Sequence, residues 1–268
     1  MMGTWAQLTT RIGIIAVVLV LLVFSAYVRG ETPSTTFATY GIDLRVDSRA
    51  FYNGEKVSSS TWKLKNLVPG SDHFFDFDDL KPGDFGKTII SLHVKKQKAW
   101  MCLDFSNLES ADNDQNEPEA LVDDEGDEGE LLEGIEFFGW QDDGDNEFGV
   151  GEEVLFDVSH AGEVLDDTTY TIEDFVHGYG FKVNEVRYVG ILWCAGELSV
   201  NTQTAAVSCD GSVLGNEVQT DTLSVDIALR AFPVKDRPQF QCEGKKFPKH
   251  PYPWWSGYHI NHSFSWWR

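Results

Sequence analysis

Seven short runs of β-branched and aromatic residues, separated by Gly, Pro, Asp and Asn, constrain this chain more than any other feature. They are FATYGIDLRV (37–46), TWKLKNL (61–67), KTIISLHV (87–94), GIEFFGW (134–140), EEVLFDV (152–158), RYVGILWC (187–194) and LSVDIALRAF (223–232). In an extended run successive side chains face opposite sides, so one row meets a core and the other points away. Several such runs in succession predict an all-β protein: an antiparallel β-sandwich or jelly roll with a long acidic loop insertion and few short helices. With 42% hydrophobic and 13% aromatic residues among 268, there is material for a packed core. A helix is expected only locally, around TIEDFVHGYG (171–180), where Thr171 caps and Gly178 terminates.

Two turns use one device. LVPGSD (67–72) and LKPGD (80–84) each place Pro-Gly after an apolar start and close on Asp. Proline fixes φ, glycine supplies positive φ, and the aspartate accepts hydrogen bonds from the turn's free amides. The pair predicts two closely spaced corners feeding one sheet.

Charge is divided unevenly. From Ala99 to Phe181 there is no Lys or Arg, yet 26 of the 43 acidic residues fall there. The centre of that belt, ESADNDQNEPEALVDDEGDEGELLEG (109–134), has too few apolar residues to drive burial, so an acidic insertion is expected at about 106–151. From Arg230 onward the balance reverses, with seven basic and two acidic residues among crowded aromatics. A net charge of −22 argues against nucleic acid as a partner, because a phosphate backbone needs a basic footprint.

The first residues give an address. Arg11 precedes the apolar run IGIIAVVLVLLVFSAYV (12–28), and Val28 and Gly30 suit a cleavage site. Residues 1–30 read as a signal peptide, with an uncleaved anchor as the rival. The run is short for a bilayer helix, which takes about 20 apolar residues. The expected product is secreted, extracellular or at the cell surface. It has a β-sandwich domain over residues 31–242 and an aromatic, basic C-terminal tail over 243–268. Cys102, Cys194, Cys209 and Cys242 lack CxxC spacing, so they read as disulfide partners rather than a zinc site. Four cysteines pair in three ways. One of these closes a short loop through Cys194 and Cys209 and ties Cys102 to Cys242.

QDDGDNEFGVGEE (141–153) is the best metal candidate. Calcium takes six to eight oxygens, which alternating acids on a glycine-bent loop supply. With Glu152 at position 12 of an EF-hand register, Asp143 falls at 3 and Asp145 at 5. Gln141 at position 1 and Asn146 at position 6 depart from that motif. Asp112, Asp114, Glu117 and Glu119 are expected to add ligands from the neighbouring stretch. The rival reading is a solvated acidic surface. Calcium is the only cofactor expected, with no organic cofactor.

The order TFATYGIDLRV, TWKLKNLVPG, DLKPGDFGKTIISLHVKKQKAW and QTDTLSVDIALRAFPVKDRPQF resembles the TasA/camelysin family of secreted fibre-forming proteins. The resemblance covers residues 35–105 and 218–242. Glu117-Pro118-Glu119, Gly129-Glu130-Leu131 and the stretch from Trp140 to Asn146 with Gly151-Glu152 look like that family's elaborated acidic versions. It implies a jelly-roll subunit, released by a dedicated signal peptidase, that polymerises into cell-surface or biofilm-matrix fibres. The partner would be a second copy of itself, and other matrix or envelope components beside it. The implied route is strand donation: the leading segment, about 31–41 with Phe37, Tyr40 and Gly41, completes the open sheet of the next subunit. The rival is a segment that pairs within its own sheet.

Two other classes are open. Camelysin relatives are described as metallo-endopeptidases, but this chain has no HExxH, and His73, His93, His160, His177, His250, His259 and His262 are scattered. The expectation is therefore not an enzyme. An envelope- or carbohydrate-binding module is the other rival. Its contacts would be Tyr252, Trp254, Trp255, Tyr258, Trp266 and Trp267, with Lys245, Lys246 and Lys249.

Overall fold

Alternation sorts most of the strands into two large sheets, with one separate hairpin beside them. The computed structural model describes residues 42–68, 71–112, 121, 129–242 and 260–266, the last as a strand. The signal segment, Phe37, Tyr40, Gly41, Asp114, Glu117, Glu119 and most of the tail lie outside the described residues. In chain order the strands are β1 (Leu44–Tyr52), β2 (Glu55–Lys65), β3 (Asp76–Leu80), β4 (Phe85–Val94), β5 (Ala99–Ala111), β6 (Ile135–Asp142) and β7 (Glu153–His160). They continue with β8 (Thr169–Glu173), β9 (Val186–Ala195), β10 (Glu197–Asn201), β11 (Ala206–Asp210), β12 (Thr222–Pro233) and β13 (Ile260–Trp266). Two single-turn helices, α1 (Leu131–Gly134) and α2 (Ala161–Val164), flank β6 and β7.

One sheet has six strands in the order β2-β1-β4-β9-β6-β7, the other five in the order β3-β13-β12-β5-β8. Every pairing is antiparallel except β13 with β3. The expected all-β sandwich is what forms. Its main core takes alternate residues from both sheets: Ile90 and Leu92, Phe137, Val189 and Ile191 from one, and Leu103, Phe105, Ile227 and Leu229 from the other. Each fully buried large apolar side chain contributes about 1.5–3 kcal/mol.

The residues between these point the other way, and each outer face has its own cover. On the six-stranded sheet, Ile89, Phe138, Trp140, Leu192 and Cys194 form a second apolar cluster, closed by Phe148 and Leu198. Trp140 lies across its register partner Gly190, where an added Cβ would sit 2.1 Å from the indole, so only glycine fits. On the five-stranded sheet the cover is a strap, residues 234–242. Trp100 Nε1 donates to Arg237 O at 2.7 Å, and Phe240 meets Phe232 at 4.6 Å between ring centres. Beneath the strap Arg230 makes two 2.8 Å hydrogen bonds to Asp104, both side chains almost wholly buried.

Each cover is stapled by a disulfide. Cys102–Cys242 holds the strap and Cys194–Cys209 holds the β10–β11 hairpin. By the chain-entropy account, their sequence separations of 140 and 15 residues correspond to about 5 and about 3 kcal/mol of stabilisation. Two disulfides fit an oxidising compartment.

Several expectations need correction. Residues 171–180 do not form a helix. Thr171 lies in β8 and pairs with Cys102, because the edge of β5 satisfies that backbone. Beyond the strand, Asp174 Oδ1 accepts from Val176 N and His177 N, forming a turn that never reaches Gly178 as a helix end. The stretch 106–151 is not one loop either, since it holds the end of β5, α1 and all of β6. Pro69 and Gly70 lie outside the described residues, but at both places the aspartate accepts as expected. Asp72 Oδ2 accepts from Val68 N at 2.7 Å and Asp84 Oδ2 from Lys81 N at 2.8 Å, with Gly83 at φ +85°.

Candidate metal centre

Strand β6 carries Phe138, Trp140 and Asp142 on its outer row, so an apolar stripe ends in a carboxylate. The chain then turns back through residues 143–152. Phe148 anchors this loop by packing edge-on to Phe138 at 4.9 Å and to Trp140 at 5.9 Å. That contact presses an acidic segment onto an apolar face.

The loop's own carboxylates replace the hydrogen bonds its backbone would otherwise take from water. Asp142 Oδ1 accepts from Gly144 N at 2.8 Å and Asn146 N at 3.4 Å. Asp143 Oδ1 accepts from Asp145 N, and Asp145 Oδ1 from Glu147 N. Glu152 closes the loop, with Oε1 on Asp143 N at 2.7 Å and Oε2 on Gly149 N at 2.5 Å. Asn146 takes a left-handed φ of 72°, which asparagine tolerates better than most residues.

Asp142, Asp143 and Asp145 each bring one carboxylate oxygen within 4.8 Å of the others. They are the one set of three potential ligands so placed among the described residues. Asp143 and Asp145 are exposed, whereas Asp142 is 6% exposed and its Oδ2 has no hydrogen-bond partner among the described residues. Burial pushes the Asp142 carboxyl above its ordinary value, the amides of Gly144 and Asn146 pull it back, and the charges of Asp145 and Asp143 push it up again. Glu152 is raised by burial as well, partly offset by the amides of Gly149 and Asp143. Only an oxygen-seeking cation suits an all-carboxylate set; zinc and copper prefer nitrogen and sulfur.

The structure brings together Asp143 and Asp145, as the spacing suggested. It does not add Glu152, whose oxygens both serve backbone amides. Asp112 is elsewhere, accepting from Thr220 Oγ1 at 3.4 Å near the start of β12, and Asp114 lies outside the described residues. Gln141 turns to Glu153, 3.0 Å away. Sequence reasoning missed Asp142, although a signal was there: a lone acid in register with Phe138 and Trp140 must share their buried face.

No family model, curated protein or solved structure matches the chain. What the protein does has to be read from its own residues. Among the described residues no helix is long and apolar enough to cross a membrane. Among the described residues the residue types of a catalytic triad do meet at Ser91, His93 and Asp47. Ser91 Oγ and Asp47 Oδ2 both approach the same nitrogen, His93 Nε2, at 2.9 and 3.6 Å. A triad needs them on opposite ring nitrogens, with the serine open to substrate. Ser91 is buried, and burial lowers the His93 pKa despite Asp47.

Proposed function

We propose that this chain is an exported structural subunit that joins copies of itself into surface or matrix fibres by strand addition. One observation carries the reading. The strand between β12 and β3 is β13, which follows β12 in the strand order but reaches β3 from the far end of the sequence. It pairs with β12 antiparallel from Thr222↔Ser265 to Ile227↔Ile260, and with β3 in parallel at Ser263↔Asp76 and Phe264↔Phe77. Among the described residues β3 has no other neighbour in the sheet. The place between them is therefore one strand wide, and main-chain hydrogen bonds there accept a strand from the same chain or from another.

In the fibre the occupant is the leading segment of the next copy, residues 31–41 with Phe37, Tyr40 and Gly41, in place of β13. The exchange trades one set of main-chain hydrogen bonds for another. A head-to-tail contact of this kind does not close on itself, so it propagates. The two disulfides, the apolar leading run and the resemblance to the TasA/camelysin proteins support the same reading. The test is electron microscopy and ultracentrifugation of residues 31–268 over a concentration series, beside a variant lacking 31–41. Filaments that vanish with the deletion are expected. A single particle at every concentration removes the reading.

A further inference from the structure

We infer that Asp142, Asp143 and Asp145 form a calcium site that pins the acidic loop to the outer face of the six-stranded sheet. This stands apart from the fibre reading, and neither depends on the other. Calcium–oxygen distances are about 2.3–2.6 Å, so two ligands of one ion lie no more than about 5 Å apart. The three carboxylates meet that condition, with one oxygen from each within 4.8 Å of the others.

The second observation is Asp142 itself. Its Oδ1 is occupied by the loop's amides, but its Oδ2 is shut away from water with no hydrogen-bond partner among the described residues. A buried carboxylate oxygen in that state is costly unless it is protonated or meets a cation. Among the described residues no cation of the protein meets it. Arg49, on β1, donates to Asn146 Oδ1 at 2.7 Å, and Lys87, on β4, pairs with Glu147 at 2.5 Å. Asp142, Asp143 and Asp145 take part in no ion pair among the described residues. The exposed side of Asp143 and Asp145 leaves room for water to complete the shell. Calcium tolerates such an irregular shell better than magnesium, which demands near-octahedral geometry at shorter distances. Three carboxylates completed by water place the dissociation constant at about 10⁻⁴–10⁻³ M, the range of extracellular modules.

The experiment uses the full chain after export, melted in chelator, in 10 mM calcium and in 10 mM magnesium, as order-of-magnitude excesses over that constant. Calcium is expected to raise the melting temperature by about 3–8 °C. Asp142→Asn keeps an oxygen for the Gly144 and Asn146 amides while removing the charge. It should melt no lower than the parent in chelator and lose the calcium gain. Asp145→Asn, at an exposed position, should lose most of the gain without any folding defect. Terbium, which takes calcium's oxygen sites, supplies a second readout through energy transfer from Trp140, on the same face as Asp142. Its luminescence should be displaced by calcium and absent in both variants. The inference is overturned if calcium gives no shift, if magnesium gives an equal one, or if both variants keep the full gain.

Discussion

The two outer faces of the sandwich solve the same problem with opposite chemistry. Both sheets carry buried side chains on the side away from the main core, and both need a cover there. On the five-stranded sheet the strap is tied by Cys102–Cys242 and lies over a closed Asp104–Arg230 pair. Asp174 also holds it, its Oδ2 accepting from Cys242 N at 3.0 Å. On the six-stranded sheet the acidic loop has no disulfide of its own: one ring, Phe148, carboxylates that bond to their own backbone, and Arg49 and Lys87 from β1 and β4 hold it. Where a charge is buried beside a guanidinium, the cover is complete in itself. Where the charge is buried alone, as at Asp142, the proposed calcium ion would complete the cover.

That contrast can be broken at several points. The largest effect is expected from Cys102→Ala with Cys242→Ala, which removes the long closure and frees the strap, a loss of about 5 kcal/mol in denaturant melts. The matching pair at Cys194 and Cys209 should cost about 3 kcal/mol. If the order is reversed, the strap is not the more firmly fixed cover. Next comes Arg230→Ala. It strands Asp104 without its guanidinium and should cost about 3–5 kcal/mol, whereas changing both residues to apolar ones of similar volume should recover most of it. Phe148→Ala should lose about 3 kcal/mol, the low end for a buried phenylalanine, because the loop can relax. Hydrogen exchange should show that loss confined to residues 142–152 and the cluster beneath.

The strap should also loosen in acid. Burial alone would raise the Asp174 pKa, but hydrogen bonds from Cys242 N, the His177 ring and the His177 and Val176 amides bring it below the ordinary carboxylate value. A lowered folded-state pKa means stability that is present above the unfolded pKa and lost as pH falls through the folded one. Exchange at Cys242 N should therefore accelerate below the ordinary carboxylate range, and Asp174→Asn should flatten that dependence. The smallest effect is expected at Lys87→Ala. Its partner Glu147 is largely exposed, so the loss should be at most about 0.5 kcal/mol. A larger one would mean that Lys87, and not an ion, neutralises the loop.

The strands that could be read from sequence are those whose pattern is local. KTIISLHV, EEVLFDV, RYVGILWC and LSVDIALRAF lie within β4, β7, β9 and β12 to within a residue or two, because alternation and bounding turn residues are properties of the run itself. β5 was hidden, since AWMCLDFS is buried on both faces and its apolar residues run from Ala99 through Leu103 without alternating; its second face is buried by a strap that comes from far along the chain. β8 resembled a helix start because its pairing partner is distant in sequence. Of the metal candidates, Asp143 and Asp145 were visible from loop spacing. Glu152 fitted the spacing too, but its oxygens are spent on amides that exist only once the loop has closed.

What the sequence by itself determined is the class of fold, the acidic belt and the set of four cysteines, each a matter of composition or short-range pattern. Only the tertiary structure decided which pairs the cysteines make, which strand fills the space beside β12, and that Asp142 joins Asp143 and Asp145. The reason is physical. Burial and pairing depend on what arrives from far along the chain, and neither Phe148 folding back nor β13 crossing to β3 leaves a mark on the residues it meets.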